Sequence, residues 1–532
     1  MSHDSTNSHG GVHATPPASR RRAFWVATGV VGVAGAVGLA TLGGLAARDD
    51  NSDETRRLSD QRAAVGRNAE NGPNAGDGPN ASDGGRAKGE QSDGSGQGPQ
   101  GKDDPAWTGW PGPDERSGPD ERSGGGPNGE GPGKGEEGKG EDGKGEDGYG
   151  RVQDVLCDPD RLIAAITRAN ADNGGTLRLA KNCTYSLTTN NGPGGSGLPP
   201  ITQNITIKGE GATLVRAANA TQFRFFDVTS GGHLRLADLT LTGGNGLTGG
   251  AVIVRTGATA TIEKTKLVNN DALAAGGAIE NNGTTTLDHT TLTNNSAVLA
   301  GGAINNTGLL KINESRLHLN NAGAAGGGIN NLAGTVVVRG SDVTDGRSVG
   351  AGGGIASAGG ILDIANAEVN ENTTGLTGGG IAVLNTQLTI RHSTISRNAS
   401  IGGGGGISNT AGLLLASSTT IENSKITDNV TNGVGGGGIL NTDLTPNIGG
   451  TATLTIRNTD ISKNKATLGG GIRNLGGTVT LTNTKIVTNT ATITNGGGGI
   501  NTNTAITTID PTTVIVANRP NNCTGTVTNC FG

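Results

Sequence analysis

Aromatic side chains make up only 2% of this 532-residue chain, and hydrophobic residues as a whole only 32%. An ordinary globular domain has about 45–50% apolar residues and roughly 7% Gly, whereas this chain has 98 glycines. These shortages exclude a conventional large core. They favour a chain that is partly disordered and partly built around small, repeated aliphatic side chains.

The chain also has little net charge and few aromatic residues. The net charge is -5, and no basic patch carries interleaved aromatics. Nucleic acid is therefore not expected as a partner. Cysteine is limited to Cys157, Cys183, Cys523 and Cys530. No His or Cys cluster has the spacing of metal ligands, so we expect disulfides. Three pairings are possible, and proximity favours Cys157–Cys183 and Cys523–Cys530.

One segment has the length and composition to meet a membrane. Residues 23–47 carry no charge and follow the basic residues of positions 1–22. A spanning helix needs about 20 apolar residues, but six glycines and the small residues near Ala46 are also compatible with a cleaved signal. Arg21, Arg22 and Phe24 resemble a twin-arginine export signal. Anchor and cleaved signal both remain open, and both place the chain after Arg48 outside the cell, in the membrane-attached or secreted form.

Residues 48–150 are low in complexity, rich in Gly and acidic on balance. Such a segment cannot bury enough apolar surface to offset its chain entropy. We expect a disordered linker that spaces the remaining domain, residues 151–532, from the membrane.

A repeat of about 26 residues runs through that domain. A Gly-Gly-(Ala/Gly)-(Ile/Val) tetrad recurs, as in Gly276 to Ile279 and Gly301 to Ile304. An aliphatic residue three positions before an Asn is the second marker. The Asn positions are Asn270, Asn295, Asn320, Asn372, Asn398, Asn429, Asn464 and Asn489. Because equivalent positions of stacked coils lie above one another, we expect aliphatic stacks and an internal Asn ladder.

These features predict an all-β fold, a right-handed single-stranded parallel β-helix of some eleven coils. The segment Asp158 to Asn170 reads as a short amphipathic helix that caps its first coil. The chain resembles the pectin-lyase-like superfamily. Its tetrads and Asn steps are similar to chlamydial polymorphic outer-membrane protein repeats, although those usually carry Phe at the aliphatic positions. The whole chain looks closest to exported β-helix repeat proteins of actinobacteria. The resemblance specifies fold strongly and function weakly.

Four carboxylates form the best candidate for a chemical site. Asp342 and Glu368 occupy one column of adjacent coils, and Asp345 and Glu371 occupy another, followed by Arg397. Stacking would place each acidic pair about 5 Å apart. Three interpretations are possible. The carboxylates could form a Ca²⁺ site or a catalytic pair of glycosidase type. They could also be simple solvated carboxylates that Arg397 partly neutralises. No other cofactor or metal is expected.

The leading functional hypothesis is a non-catalytic, adhesin-like binding or structural role at the cell surface. Its partner would be an envelope or extracellular glycan or a surface protein. The rival is a polysaccharide-active lyase or glycoside hydrolase, as many members of the resembled superfamily are. Against the rival, residues 151–532 contain no Trp and few other aromatics, whereas sugar clefts usually have aromatic platforms. A rod that only supplies length and rigidity is the third hypothesis.

Overall fold

The computed structural model describes residues 152–190, 195–412, 415–445 and 450–530. The export signal at Arg21, Arg22 and Phe24, the apolar segment 23–47 and the linker 48–150 lie outside the described residues. In the described ranges, no helix combines the length and apolar character that crossing a membrane requires.

The described chain is a parallel β-solenoid, which confirms the predicted parallel β-helix. Every pairing between its named strands is parallel and joins a strand to the equivalent strand of the next coil. The strands form three sheets of 25, ten and twelve strands.

The first sheet holds two strands from most coils. Its strands are Val152–Val155, Gly175–Leu179, Thr184–Leu187, Asn204–Arg216, His233–Thr242, Thr259–Glu263, Lys266–Val268, Thr284–Asp288, Thr291–Thr293, Leu309–Asn313, Arg316–His318, Thr335–Arg339, Asp342–Thr344, Ile361–Ala365, Glu368–Asn370, Gln387–Arg391, Thr394–Ser396, Ser417–Glu422, Lys425–Thr427, Ala452–Arg457, Asp460–Ser462, Thr478–Thr482, Lys485–Val487, Ile506–Ile509 and Val514–Val516.

The second sheet is built from short strands that follow the Asn ladder. They are Asn245–Thr248, Asp271–Ala275, Ser296–Ala297, Asn321–Ala322, Arg347–Ser348, Thr373–Thr374, Ala399–Ser400, Val430–Thr431, Lys465–Ala466 and Thr490–Ala491.

The third sheet contains ten strands that each begin at the last residue of a glycine tetrad, together with one strand before them and one after them. They are Phe226–Val228, Val252–Val254, Ile279–Asn281, Ile304–Asn306, Ile329–Leu332, Ile355–Ala358, Ile381–Leu384, Ile407–Ala411, Ile439–Asp443, Ile472–Leu475, Ile500–Asn503 and Cys523–Thr524.

Two columns of left-handed residues turn each coil between its strands. In one coil they are His289 (φ 48°) and Asn294 (φ 53°), on either side of the strand Thr291–Thr293. Asn tolerates this conformation better than most side chains, which explains why Asn recurs at both positions. His392 (φ 49°) occupies the same column as His289 four coils further along.

The interior consists of stacked aliphatic columns. One column has no member that is more than 1% exposed. Its members are Ile262, Leu287, Ile312, Val338, Ile364, Ile390, Ile421, Ile456 and Leu481. Side chains alternate between the two faces of a strand, and β-branched residues pack well on such a surface. The low aromatic content therefore suits this narrow core.

The solenoid has about 14 turns rather than eleven. The extra turns lie at the N-terminal end, where strands such as Gly175–Leu179, Asn204–Arg216 and His233–Thr242 pair before the first tetrad begins. Counting tetrads misses them because their coils use other turn sequences. Thirteen steps of about 4.8 Å give a stack roughly 60 Å high.

A helix and two disulfides lie near the ends of the solenoid. The helix Pro159–Ala171 starts after Asp158, whose side chain accepts a hydrogen bond from the Asp160 amide at 2.8 Å. It buries Leu162, Ala165, Ile166 and Ala169 with the core. The disulfides are Cys157–Cys183 and Cys523–Cys530, with Cα–Cα distances of 5.7 and 6.2 Å.

Candidate binding surface

The Asn residues singled out in the sequence form a hydrogen-bonded ladder inside the turns. The Asn270 side chain donates to Asn295 Oδ1 at 3.0 Å and to the Leu241 carbonyl at 3.1 Å. The Asn270 backbone amide also donates to Asn295 Oδ1 at 3.0 Å. The same pattern repeats through Asn489, and the eight side chains are at most 1% exposed. Their polar atoms are therefore committed to neighbouring coils.

The ladder has one gap and one member that the repeat did not identify. Gly346 occupies the gap, and its backbone amide donates to Asn372 Oδ1 at 2.8 Å. Asn518 extends the ladder beyond Asn489, since Asn518 Oδ1 accepts from the Asn489 amide at 2.9 Å. The aliphatic-x-x-Asn signal is present there too, as Ile515 to Asn518.

A second Asn ladder runs along the third sheet and was missed in the sequence. Asn281 donates to Asn306 at 2.6 Å, and Asn306 donates to Asn331 at 2.7 Å. Asn409, Asn441 and Asn474 repeat the arrangement further along. The available signal is an Asn two residues after the tetrad's last aliphatic residue, as in Ile279 and Asn281.

The acidic columns are divided between different partners. Asp342 and Glu368 lie in register on adjacent strands, as their column predicts. Asp345 Oδ2 lies 3.1 Å from His318 Nδ1, while Glu371 Oε1 lies 2.7 Å from Arg397 Nε. The partners of Asp345 and Glu371 thus draw the two carboxylates toward opposite neighbours. The described residues include no group of three or more His, Cys, Asp or Glu side chains arranged for a metal ion.

A buried group of charges lies near the N-terminal end of the third sheet. Asp227 forms a two-point ion pair with Arg255 at 2.7 and 2.8 Å. Glu280 is fully buried, and Asn305 Nδ2 donates to both its carboxylate oxygens, at 2.9 and 3.1 Å. Burial raises the pKa of Glu280 to about 7, against a smaller lowering by Asn305 and Arg224. Arg255 keeps about a third of its side chain exposed, whereas Asp227 and Glu280 are buried.

An exposed aliphatic ridge follows the second sheet on the outside of the solenoid. We define the ridge by eight large aliphatic side chains with exposures between 39% and 69%. They are Leu247, Leu273, Val298, Val349, Leu376, Ile401, Val434 and Ile493. Large exposed apolar surface on a protein marks an interaction site. The ridge is therefore the candidate functional site.

The turn after each ladder Asn positions the ridge. The next two residues pair with adjacent coils, the second of them buried, and the third points outward. In one coil these are Ser296, buried Ala297 and exposed Val298. The parallel register repeats this direction in every layer of the sheet. Stacking thus places Leu247, Leu273, Val298, Val349 and Ile401 in one column, whereas Leu376, Val434 and Ile493 lie one or two positions further along the chain.

The ridge contains a notch at Gly375. The notch has a volume of about 350 Å³ and lies between the side chains of Val349 and Ile401. A Cβ on Gly375 would clash with the backbone carbonyl of Val349, so the gap is fixed by the coil-to-coil packing. Arg347 and Thr373 line one side of the notch, and no carboxylate lines it. It can accept an apolar side chain from a partner.

Comparison with known proteins adds likeness in fold only. No protein-family model matches the sequence, and no curated protein matches it. Among solved structures, the chain is similar to the mannuronan C-5 epimerase AlgE6 A-module of Azotobacter vinelandii. The identity is 14%, with 70% of this chain and 99% of that chain covered and a TM-score of 0.37.

Two tailspike proteins are also similar to the chain. The first is a tailspike mutant of E. coli bacteriophage HK620 in complex with a pentasaccharide, at 10% identity, coverage of 67% and 76%, and a TM-score of 0.30. The second is the Dettilon tailspike protein, at 13% identity, coverage of 66% and 64%, and a TM-score of 0.26. At these identities and scores, the assignment of this chain to the parallel β-solenoids rests on its own strand pairing.

Proposed function

We propose that this protein is a non-catalytic interaction rod displayed outside the cell, with the ridge as its contact surface. The supporting observation is the ridge itself, a row of exposed aliphatic side chains on a rigid scaffold. An apolar row favours a protein partner over a glycan, because sugar hydroxyls need polar partners when they are desolvated.

The rest of the chain completes this proposal. Residues 23–47 serve as the anchor or signal, and residues 48–150 as the spacer. The solenoid is right-handed, as parallel crossover connections usually are, and the helix Pro159–Ala171 caps its first coil. The resemblance to exported actinobacterial repeat proteins agrees with this organisation.

Footprinting in the native envelope tests the proposed role. A photoactivated carbene reagent would label full-length protein in intact envelopes and purified, dilute protein in detergent. We expect Val298, Val349 and Ile401 to be protected in the envelope only. Ile361, an exposed aliphatic residue of the first sheet, is the internal control and should be labelled equally in both. Equal labelling of the ridge in both samples would refute the proposal.

An activity screen tests the rival enzyme hypothesis. The full chain would be incubated with acidic and neutral polysaccharides, and new reducing ends and unsaturated products would be measured. We expect none. Products that disappear in the Asp342→Asn, Glu368→Gln double variant would establish an enzyme and overturn the non-catalytic proposal.

A further inference from the structure

The ridge has a layered profile that can be followed position by position. The second sheet has ten layers, numbered here from Asn245–Thr248 to Thr490–Ala491. The crest is defined as the residue two positions after the first residue of each layer. In order, the ten crest residues are Leu247, Leu273, Val298, Gly323, Val349, Gly375, Ile401, Asn432, Thr467 and Thr492. None is charged, and large residues alternate with glycines in the middle layers.

This profile is complementary to itself when one copy is reversed. With a two-fold axis between layers 5 and 6, layer 5 of one copy faces layer 6 of the other. Val349 then faces the notch at Gly375, and Ile401 in layer 7 faces Gly323 in layer 4. The remaining aliphatic crest residues, Leu247, Leu273 and Val298, face the smaller polar crest residues of layers 10, 9 and 8, beside which Ile493 and Val434 are also exposed. In a parallel pair, by contrast, each crest residue would face its own copy, and Val349 would not meet the notch at Gly375.

Two of the three charges beside the crest, Asp271 and Lys465, fit the same reversed arrangement, whereas Arg347 lies one layer from its own mate. The first residue of each layer forms a flanking column in which the charged members are Asp271 (layer 2), Arg347 (layer 5) and Lys465 (layer 9). A two-fold axis that runs along the strands brings this column against the same column of the second copy. Layer 2 then faces layer 9, so that Asp271 meets Lys465 twice. Both side chains belong to exposed residues.

We infer that two copies of this chain pair through their ridges, antiparallel, about a two-fold axis between the layers of Val349 and Gly375. The inference rests on the proposed function and names the partner of its contact surface. A second copy repeats the spacing of about 4.8 Å between layers over all ten layers, so it can match the ridge along its whole length. Isologous pairing of this kind is the commonest form of assembly in soluble proteins.

The size of the contact sets the expected strength. Nine steps of about 4.8 Å and a width of about 10 Å give roughly 430 Å² from each copy, or about 900 Å² in total. That area is below the range of stable specific interfaces, about 1,200–2,000 Å², and within that of weak, transient ones. The pair is therefore weak in dilute solution and becomes occupied where copies are concentrated.

A charge swap tests the register. Full-length protein in detergent would be studied by sedimentation over a range of concentrations. We expect Asp271→Lys or Lys465→Asp alone to weaken self-association about tenfold and the double variant to restore it. Within one copy these residues are seven layers apart, roughly 34 Å, so rescue can arise only between copies. Absence of rescue would overturn the antiparallel register.

Cross-linking gives an independent measurement. The four native cysteines form two disulfides and none is free in the described residues, so a new Cys is selectively labelled. With a short bismaleimide, we expect Val349→Cys to cross-link efficiently, since its mate lies one layer away. Leu247→Cys should not cross-link, because its mate lies nine layers away, and Ile361→Cys off the ridge should not either. Equal cross-linking at Val349 and Leu247 would establish a parallel pair instead.

The outcomes separate this inference from the proposed function. A ridge protected in envelopes, together with a chain that does not self-associate at any concentration, would refute the pairing and leave the interaction rod intact. A ridge that is neither protected nor self-associating would refute both.

Discussion

Glu280 shows how one residue imposes pH dependence on the solenoid. It lies on the strand Ile279–Asn281, next to a core residue, and has no exposed surface. Its partner Asn305 is neutral, and Asn305 in turn accepts from Asn330 at 2.7 Å. Neutral donors compensate only partly for the loss of water around a carboxylate. The charged form of Glu280 therefore lowers the stability of the fold.

The direction of the pH effect on stability follows from the pKa of Glu280 in the unfolded and in the folded chain. The pKa of Glu280 is raised from 4.5 to about 7 in the folded chain. Between these values the folded state keeps a proton that the unfolded state has released, so the free energy of unfolding falls as the pH rises. The total loss is about 3 kcal/mol above pH 7.

We predict that Glu280→Gln stabilises the protein at pH 8 by up to about 3 kcal/mol and has little effect at pH 4.5. Chemical denaturation across this pH range measures the difference. Glu368→Gln, at an exposed carboxylate, is the control and should leave the pH profile unchanged. If the free energy of unfolding of the Glu280→Gln variant fell between pH 4.5 and 7 as steeply as that of the parent, Glu280 would not be the source of the pH dependence.

At the scale of elements, the internal columns could be read from the sequence because burial and period coincide. Ile390, Ile421 and Ile456 occupy one aliphatic column of the repeat, and all three are fully buried. The ridge could not be read in the same way. Val298 and Leu292 are both aliphatic, yet one is 60% exposed and the other fully buried. The difference arises from the turn at Asn294 and Asn295, whose direction the residue types do not specify.

The first Asn ladder acts as an element in its own right. Asn429 illustrates this, because its side chain donates to Asn464 Oδ1 and to the Ile395 carbonyl and accepts from the Asn398 amide, all within 3.0 Å. Removal of the side chain leaves several buried groups of two neighbouring coils without partners.

We predict that Asn429→Ala lowers the free energy of unfolding by about 3 kcal/mol. Asn432→Ala changes the same residue type three positions later, at an exposed site, and should change stability by less than about 0.5 kcal/mol. Thermal and urea unfolding would compare the two. Equal effects would show that the ladder does not stabilise the coil stack.

Calcium provides a second test at this scale. Because His318 contacts Asp345 and Arg397 contacts Glu371, we expect millimolar Ca²⁺ to leave the melting temperature unchanged. The Asp345→Asn, Glu371→Gln double variant should respond to Ca²⁺ in the same way as the parent. A calcium-dependent rise that the double variant loses would establish a cation site.

For the molecule as a whole, the end coils are the least supported, because each coil contacts only its neighbours. Cys157–Cys183 closes a separation of 26 residues at the first coils, and Cys523–Cys530 a separation of 7 at the last. In the chain-entropy account, the longer loop stabilises more, about 3.5 against about 2.5 kcal/mol.

We predict that the double variant Cys157→Ser, Cys183→Ser shows faster amide exchange in Val152–Val155 and Gly175–Leu179. The strands near Ile390 should stay protected. Cys523→Ser, Cys530→Ser should loosen only the last coils. Hydrogen–deuterium exchange with peptide resolution distinguishes the two. Simultaneous loss of protection along the entire stack would show that the solenoid unfolds as one cooperative unit.

The one-coil-per-layer construction also bears on how such genes can change. Duplication or deletion of one 26-residue unit, such as residues 381–406, would lengthen or shorten the stack by a single step without disturbing the pairs on either side. Yet the same event would move the centre of the crest, so that Val349 no longer met a glycine in a sister molecule. Unequal recombination could therefore create lineages that fold alike but recognise only their own length class.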